Sequence, residues 1–182
     1  MTSSNKKKIL QNENLTELEK VLLNSYKVEM VAFVNSSPKE FDELIELSLS
    51  DKQPFAWRAA FILSTVMKKN DKRISSVIDE VINAIDGKPD GHKRELLKIL
   101  LKLELSEEQE SQLIDICINL WKELDSKPTV RFYALRMLMN IAKKYPDLES
   151  EIRLLTNDLY MDSLTQGIRR VIEKRLGFDS SH

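Results

Sequence analysis

The sequence has few of the residue types that build catalytic or metal sites. Its 182 residues include one cysteine, Cys117, and two histidines, His92 and His182. One cysteine cannot form an internal disulfide, and the apolar run around Cys117 favours a buried side chain over a reactive thiol. Metal sites need clustered Cys, His and carboxylate ligands. We therefore predict no metal, no cofactor and no catalytic residue, and we expect the isolated His92 to be a polar surface residue.

Glycine and long apolar runs are also scarce. There are four Gly and five Pro, while 42% of the residues are hydrophobic and 31% are charged, a composition typical of a soluble helical protein. No run reaches the roughly 18 apolar residues of a membrane span, and no signal-like apolar region follows the N-terminal lysines. These absences predict a cytoplasmic protein without a membrane partner. The net charge of −1 predicts no global attraction to nucleic acid, so any such attraction must be local.

What the chain does have is an acidic residue that recurs about every 37 positions, followed six or seven residues later by a base. The pairs are Asp51/Arg58, Asp86/Lys93, Asp125/Arg131 and Asp162/Arg169, with spacings of 35, 39 and 37 residues between the aspartates. A fixed period in this range is the signature of a repeat architecture. Repeat arrays present extended surfaces, which favours a binding function.

Helix signals divide the chain into a cap and four helix pairs. Start signals occur at Asn14 with Glu17, at Ser37 followed by Pro38, and at the capping box formed by Ser106 and Gln109. The predicted parts are a flexible N-terminus (1–13), a cap of one or two helices (14–36), pairs at 37–69, 70–105, 106–145 and 146–177, and a C-terminal tail (178–182). Because one pair cannot bury both of its apolar faces, the pairs must stack. We predict a single all-α domain over 14–177, a right-handed α-α superhelix.

The second helix of each pair resembles that of a HEAT repeat. Residues 125–135 (DSKPTVRFYAL) contain the aspartate in the turn, the proline, and Val-Arg before a small residue. Residues 51–60 are similar, and 162–169 are similar without the proline. The segment 86–93 departs twice, since a lysine replaces the arginine and a histidine replaces the apolar residue. The resemblance covers 37–177 and implies an armadillo-like solenoid in which the four Asp/base pairs form a structural ladder between repeats.

The charges are sorted between the two sets of helices. The first helices with their turns carry 5 bases and 20 acids, whereas the second helices carry 15 bases and 4 acids. The resemblance implies that second helices line the concave side, so the groove should be basic. Aligning the second helices predicts a row of six bases beside two aromatic residues. These are Arg94, Lys98, Lys102, Arg136, Arg170 and Lys174, with Phe132 and Tyr133.

The sequence therefore predicts a non-catalytic scaffold that binds another protein, through an acidic segment, in its basic groove. Nucleic-acid binding is the alternative, because such a row also suits phosphates and because some HEAT-like proteins are alkylpurine DNA glycosylases. A glycosylase would need an acid beside groove tryptophans, and only Glu95 and Glu173 are plausible groove acids. We expect Trp57 and Trp121 to serve packing. A solvated face with no ligand is the remaining alternative.

Overall fold

The structure, a computed structural model, describes residues 15–176, and this part of the chain is entirely helical apart from turns. It contains eleven α-helices and one 3₁₀ helix, with no strand between residues 15 and 176. The all-α HEAT-like solenoid predicted from the sequence is confirmed. The predicted flexible N-terminus (1–13) and tail (178–182) lie outside the described residues.

The helices follow one another as a two-helix cap and four successive pairs. In chain order they are α1 (Glu17–Asn24), α2 (Lys27–Asn35), α3 (Pro38–Leu49), α4 (Phe55–Val66), the 3₁₀ helix (Lys72–Val77), α5 (Ile78–Asn83), α6 (Asp90–Leu100), α7 (Glu107–Lys122), α8 (Pro128–Ile141), α9 (Pro146–Leu155), α10 (Asp158–Met161) and α11 (Gln166–Leu176). The first helices of the pairs are α3, α5, α7 and α9 with α10. The second helices are α4, α6, α8 and α11.

Local start signals placed most of these helices. The capping box at Ser106 forms as predicted, since its hydroxyl accepts a hydrogen bond from the Gln109 amide at 3.2 Å. At the cap, a capping box joins Thr16 to Glu19, and the predicted cap residue Asn14 lies outside the described residues. The first helix of the predicted pair 70–105 is not continuous, because its first half is a 3₁₀ helix. That half contains consecutive serines and a valine, which are weak helix formers.

Stacking of the pairs produces one core. The buried apolar side chains form a single cluster that extends from Leu18 in the cap to Ile172 in α11. The second helices pack directly against one another, α4 on α6 and α6 on α8, more extensively than the neighbouring first helices do. We call the solvent-facing side of α4, α6, α8 and α11 the second-helix face. None of the helices between residues 15 and 176 has both the length and the apolarity needed to cross a bilayer.

The junction between the third and fourth pairs depends on a buried arginine. Arg131 is fully buried, and its Nε donates to the carbonyl of Trp121 at 2.9 Å. Its two terminal nitrogens donate to the Ser163 hydroxyl at 2.5 Å and to the Tyr160 carbonyl at 3.0 Å. The predicted partner, Asp125, is exposed instead. The predicted pairing is therefore wrong, because the guanidinium reaches across the junction to the end of α10.

The junction between the first and second pairs also differs from the predicted ladder. Asp51 pairs with Lys88 of the next repeat and not with Arg58, whose Nε is buried without a hydrogen-bond partner. The Lys88 ammonium also donates to the carbonyls of Leu49 at 3.2 Å and Ser50 at 2.9 Å, at the C-terminal end of α3. Cations are favoured there by the helix dipole and by carbonyls without intrahelical partners.

His92 lies in the same junction and is fully buried, which corrects the expectation of a surface residue. Its Nε2 is 2.8 Å from the Ser48 carbonyl, and its Nδ1 is 3.2 Å from the side-chain amide nitrogen of Gln53. The carbonyl can only accept and the amide nitrogen can only donate. The contacts therefore select the neutral ring with its proton on Nε2.

The two remaining ladder pairs behave differently from each other. Arg169 pairs with Asp162 at 2.5 Å and with Glu173 at 2.8 Å, so this pair lies within the last repeat. In the second repeat, the Asp86 carboxylate accepts a hydrogen bond from the Gly87 amide at 3.0 Å. Among the described residues no ion pair joins Asp86 to Lys93. The repeating sequence motif therefore corresponds to different contacts at each junction.

We expect Arg131→Ala to lower the free energy of unfolding by about 3 kcal/mol or more, because it leaves buried carbonyls without donors. Asp125→Ala is the matched control and should change it by less than about 0.5 kcal/mol, as for other exposed sites. Chemical denaturation of both variants measures the difference. Equal losses of unfolding free energy in the two variants would support the predicted Asp125–Arg131 pair instead.

We expect stability to fall as the pH drops below about 6.5, with His92 responsible. Burial lowers the pKa of His92 below its ordinary value of 6.5, and the charge of Lys88 lowers it further against opposing contributions from the Ser48 carbonyl, Asp51 and Glu95. The unfolded chain then binds more protons than the folded one below pH 6.5, so protonation favours unfolding. His92→Gln retains a donor for the Ser48 carbonyl, and it should make the free energy of unfolding nearly independent of pH between pH 7 and 5. An unchanged slope in this variant would exclude His92 as the cause.

Candidate binding surface

Arg94 and Lys98 lie one turn apart on α6 and share a buried carboxylate. Glu95 is fully buried, with its two oxygens 2.6 Å from Arg94 Nη2 and 2.6 Å from Lys98 Nζ. The Ser64 hydroxyl donates to the same carboxylate at 3.0 Å. Burial raises the pKa of Glu95, but the hydrogen bonds and charges of Lys98, Arg94 and Ser64 outweigh it and hold this pKa below its usual range. Glu95 is thus an ionised counter-charge for Arg94 and Lys98.

The corresponding part of α8 combines aromatic rings with a base. Phe132 and Tyr133 are half-buried and meet edge to face, with ring centroids 5.4 Å apart. The Arg136 guanidinium lies 5.7 Å from the centroid of the Tyr133 ring. Among the described residues no carboxylate pairs with Arg136. Its charge therefore remains available on the second-helix face.

The other members of the predicted row have different environments. Lys102 lies beyond the end of α6 and donates to the Met67 carbonyl at 2.8 Å, where burial lowers its pKa. This hydrogen bond joins two repeats, so Lys102 does not contribute a free base to the second-helix face, and its inclusion in the predicted row was wrong. Arg170 and Lys174 are exposed on α11, one turn apart. Of the predicted row, the second-helix face thus presents Arg170 and Lys174 on α11, Arg136 on α8, and Arg94 and Lys98 on α6.

Sequence reasoning missed an aromatic pair at the N-terminal end of this face. Trp57 and Phe61, one turn apart on α4, are half-buried and stacked, with centroids 6.3 Å apart and planes 15° apart. The ammonium groups of Lys27 and Lys98 lie 5.2 and 5.6 Å from the centroid of Phe61. Gly91 permits the close approach of α6, because a Cβ there would lie 3.2 Å from Trp57 Nε1. The four-residue spacing of the two rings was the available signal.

Trp121 serves packing, as expected. It is fully buried, and its indole nitrogen donates to the Leu155 carbonyl at 2.7 Å. Cys117 is also fully buried, and burial raises the pKa of its thiol. Between residues 15 and 176 no group of three or more His, Cys, Asp or Glu residues is arranged to hold a metal ion. The second-helix face combines several bases with partly exposed rings.

Comparison with known proteins bears on the family. The HEAT repeat domain model matches residues 15–177, nearly the whole chain. No curated protein and no solved structure matches. HEAT repeats typically mediate contacts between proteins. The stacked helix pairs, the continuous core and this match together show that the chain belongs to the HEAT repeat family.

Proposed function

We propose that this protein is a non-catalytic binding module whose second-helix face binds an acidic segment of another protein. The observation that carries the proposal is the excess of positive charge on that face. Arg136 is half-buried, Arg170 and Lys174 are exposed, and none of the three has a paired acid in the described part of the chain. Arg94 and Lys98 share the single charge of Glu95 and keep a net positive charge between them.

The acids of this face do not cancel its charge. Glu95 is buried under its two basic partners, and Glu173 on α11 is engaged by Arg169 at 2.8 Å. Carboxylates of a bound segment would therefore meet guanidinium and ammonium groups with unused donors. The half-buried rings of Tyr133 and Phe61 add apolar area between the charges, a combination that is common in protein interfaces.

Nucleic acid is the second candidate, favoured by the same row of bases. Single-stranded nucleic acid binds to aromatic side chains whose ring faces are free for stacking. Here the ring of Phe61 has two ammonium groups over it, and that of Tyr133 has the Arg136 guanidinium over it. Occupied ring faces suit carboxylate binding between the cations better than base stacking, so we place an acidic protein segment first.

We expect Arg136→Glu with Lys174→Glu to weaken binding of a fluorescent peptide of alternating Glu and Ser by at least tenfold while leaving the fold intact. Reversing two charges replaces attraction by repulsion across the interface. Lys98 is left unchanged, because a glutamate there would face the buried Glu95. The measurement is fluorescence anisotropy, with circular dichroism to check folding.

The matched control is Lys39→Glu with Lys122→Glu, which makes the same change in net charge on exposed first-helix positions. It should bind the peptide as the native protein does. If both double variants weaken binding equally, the effect comes from net charge alone and the second-helix face is not the binding site.

Salt titration with duplex DNA tests the second candidate, because the logarithm of the affinity for DNA falls with the logarithm of the salt concentration by about 0.9 per phosphate contact.

We expect no base excision on alkylated DNA, with or without a divalent metal. A catalytic carboxylate needs a raised pKa beside a substrate platform, whereas the pKa of Glu95 is lowered and its oxygens are already bound by three donors. Incubation of alkylated duplex with the purified protein, followed by strand cleavage at abasic sites, measures this. Excision that disappeared in folded Glu95→Gln would make the protein an enzyme.

A further inference from the structure

A cavity lies on the second-helix face at the junction between the third and fourth pairs. It has a volume of about 390 Å³, is partly open to solvent, and is lined by residues of α8, α9 and α11 and by residues just after the ends of α6 and α8. Its floor is apolar, formed by Leu101, Met139, Ala142 and the almost fully buried Ile152. The volume falls in the range of roughly 300–1,000 Å³ that is typical of sites for small groups. The cavity therefore has room for a large apolar side chain.

The rim of this cavity is basic. The bases that line it are Arg136 on α8, Lys143 just after α8, and Arg175 on α11. The rim also contains one acid, Glu149, whose carboxylate is already paired with Arg153 at 2.9 Å. Three bases against one engaged acid favour an occupant that brings negative charge close to its apolar group.

Arg136 joins the cavity to the row of bases. It lies over Tyr133 on the second-helix face and also lines the cavity. A segment that follows the row from α6 to α8 would thus arrive at the cavity without leaving the basic surface. Interfaces commonly concentrate their affinity in one anchoring side chain that fills a desolvated pocket, while charged contacts surround it.

We propose that the cavity seats one large apolar side chain of the acidic segment, with the carboxylates on either side of it bound by the basic rim. The inference rests on the proposed function, and it adds a sequence requirement to it. The partner segment has to contain an apolar residue directly flanked by acids. A uniformly acidic segment would fill the row and leave the cavity empty.

The test uses three fluorescent peptides of equal length and the full chain. The first alternates Glu and Ser, the second has one central Ser replaced by Leu, and the third has the same Leu among Ser residues only. We expect the Leu to raise the affinity of the acidic peptide about tenfold, as burial of an aliphatic side chain predicts. The third peptide should bind at least tenfold more weakly than the second.

The protein variant for this test is Asn140→Trp, which fills the cavity from an exposed lining position. It should abolish the gain from Leu and leave the affinity for the first peptide unchanged. Asn119→Trp makes the same substitution at an exposed position on α7 and should keep the full gain. A photoreactive leucine in the second peptide should crosslink to Leu101, Met139, Ala142 or Ile152.

The outcomes separate the two proposals. Failure of the first peptide to bind, or binding that survives Arg136→Glu with Lys174→Glu, removes the proposed function. Binding of the first peptide with no gain from Leu, or a gain that persists in Asn140→Trp, overturns the cavity alone. Equal binding of the second and third peptides also overturns it, because the acids on either side would then contribute nothing. Binding of oligonucleotides tighter than that of all three peptides would assign the face to nucleic acid.

Discussion

The last carbonyl groups of a helix have no partners within that helix, and the rest of this structure depends on how a neighbouring repeat supplies donors for them. Lys88 and His92 donate to carbonyls at the end of α3, and Lys102 to one at the end of α4. Trp121 donates to the end of α9, and Arg131 to the ends of α7 and α10. Each of these donors is 10 to 44 residues from its acceptor, and all but one of the contacts cross a repeat junction. Apolar stacking drives the pairs together, and these donors fix how one pair sits on the next.

Because of these contacts, only part of the positive charge on the second helices is available to a ligand. Many cations of this protein satisfy carbonyls or buried acids, so a count of charges overstates what a ligand can reach. Lys102 is used between repeats, and Arg94 with Lys98 stabilises Glu95 in the interior. Of the predicted row, the bases without a paired acid in the described part of the chain are Arg136 on α8 and Arg170 and Lys174 on α11. For this reason the proposed binding surface is weighted towards the C-terminal half, beside the cavity, while the N-terminal half contributes the stacked Trp57 and Phe61.

The two ends of the second-helix face therefore differ in chemistry. At α4 the rings are flanked by Lys27 and Lys98, whose ammonium groups gain from the aromatic faces. At α8 and α11 the bases surround an apolar cavity. A ligand that used both ends would need aromatic or apolar groups at two points and acids between them. If the face binds an acidic segment as proposed, these two points would distinguish one acidic segment from another, which charge alone would not do because screening makes exposed charges nearly interchangeable.

The sequence by itself determined the helical class, the repeat period and most helix starts, because these depend on local signals. The capping box at Ser106, proline at the first position of α3 and α8, and the apolar spacing act within one helix turn. Only the tertiary structure decided the partners of Arg131, Lys88, Lys102 and His92 and the position of the cavity. Their acceptors are mostly backbone carbonyls in a neighbouring repeat, and every residue has a carbonyl. No residue type marks the acceptor, so the Asp/base motif in the sequence could suggest a junction without identifying its contacts.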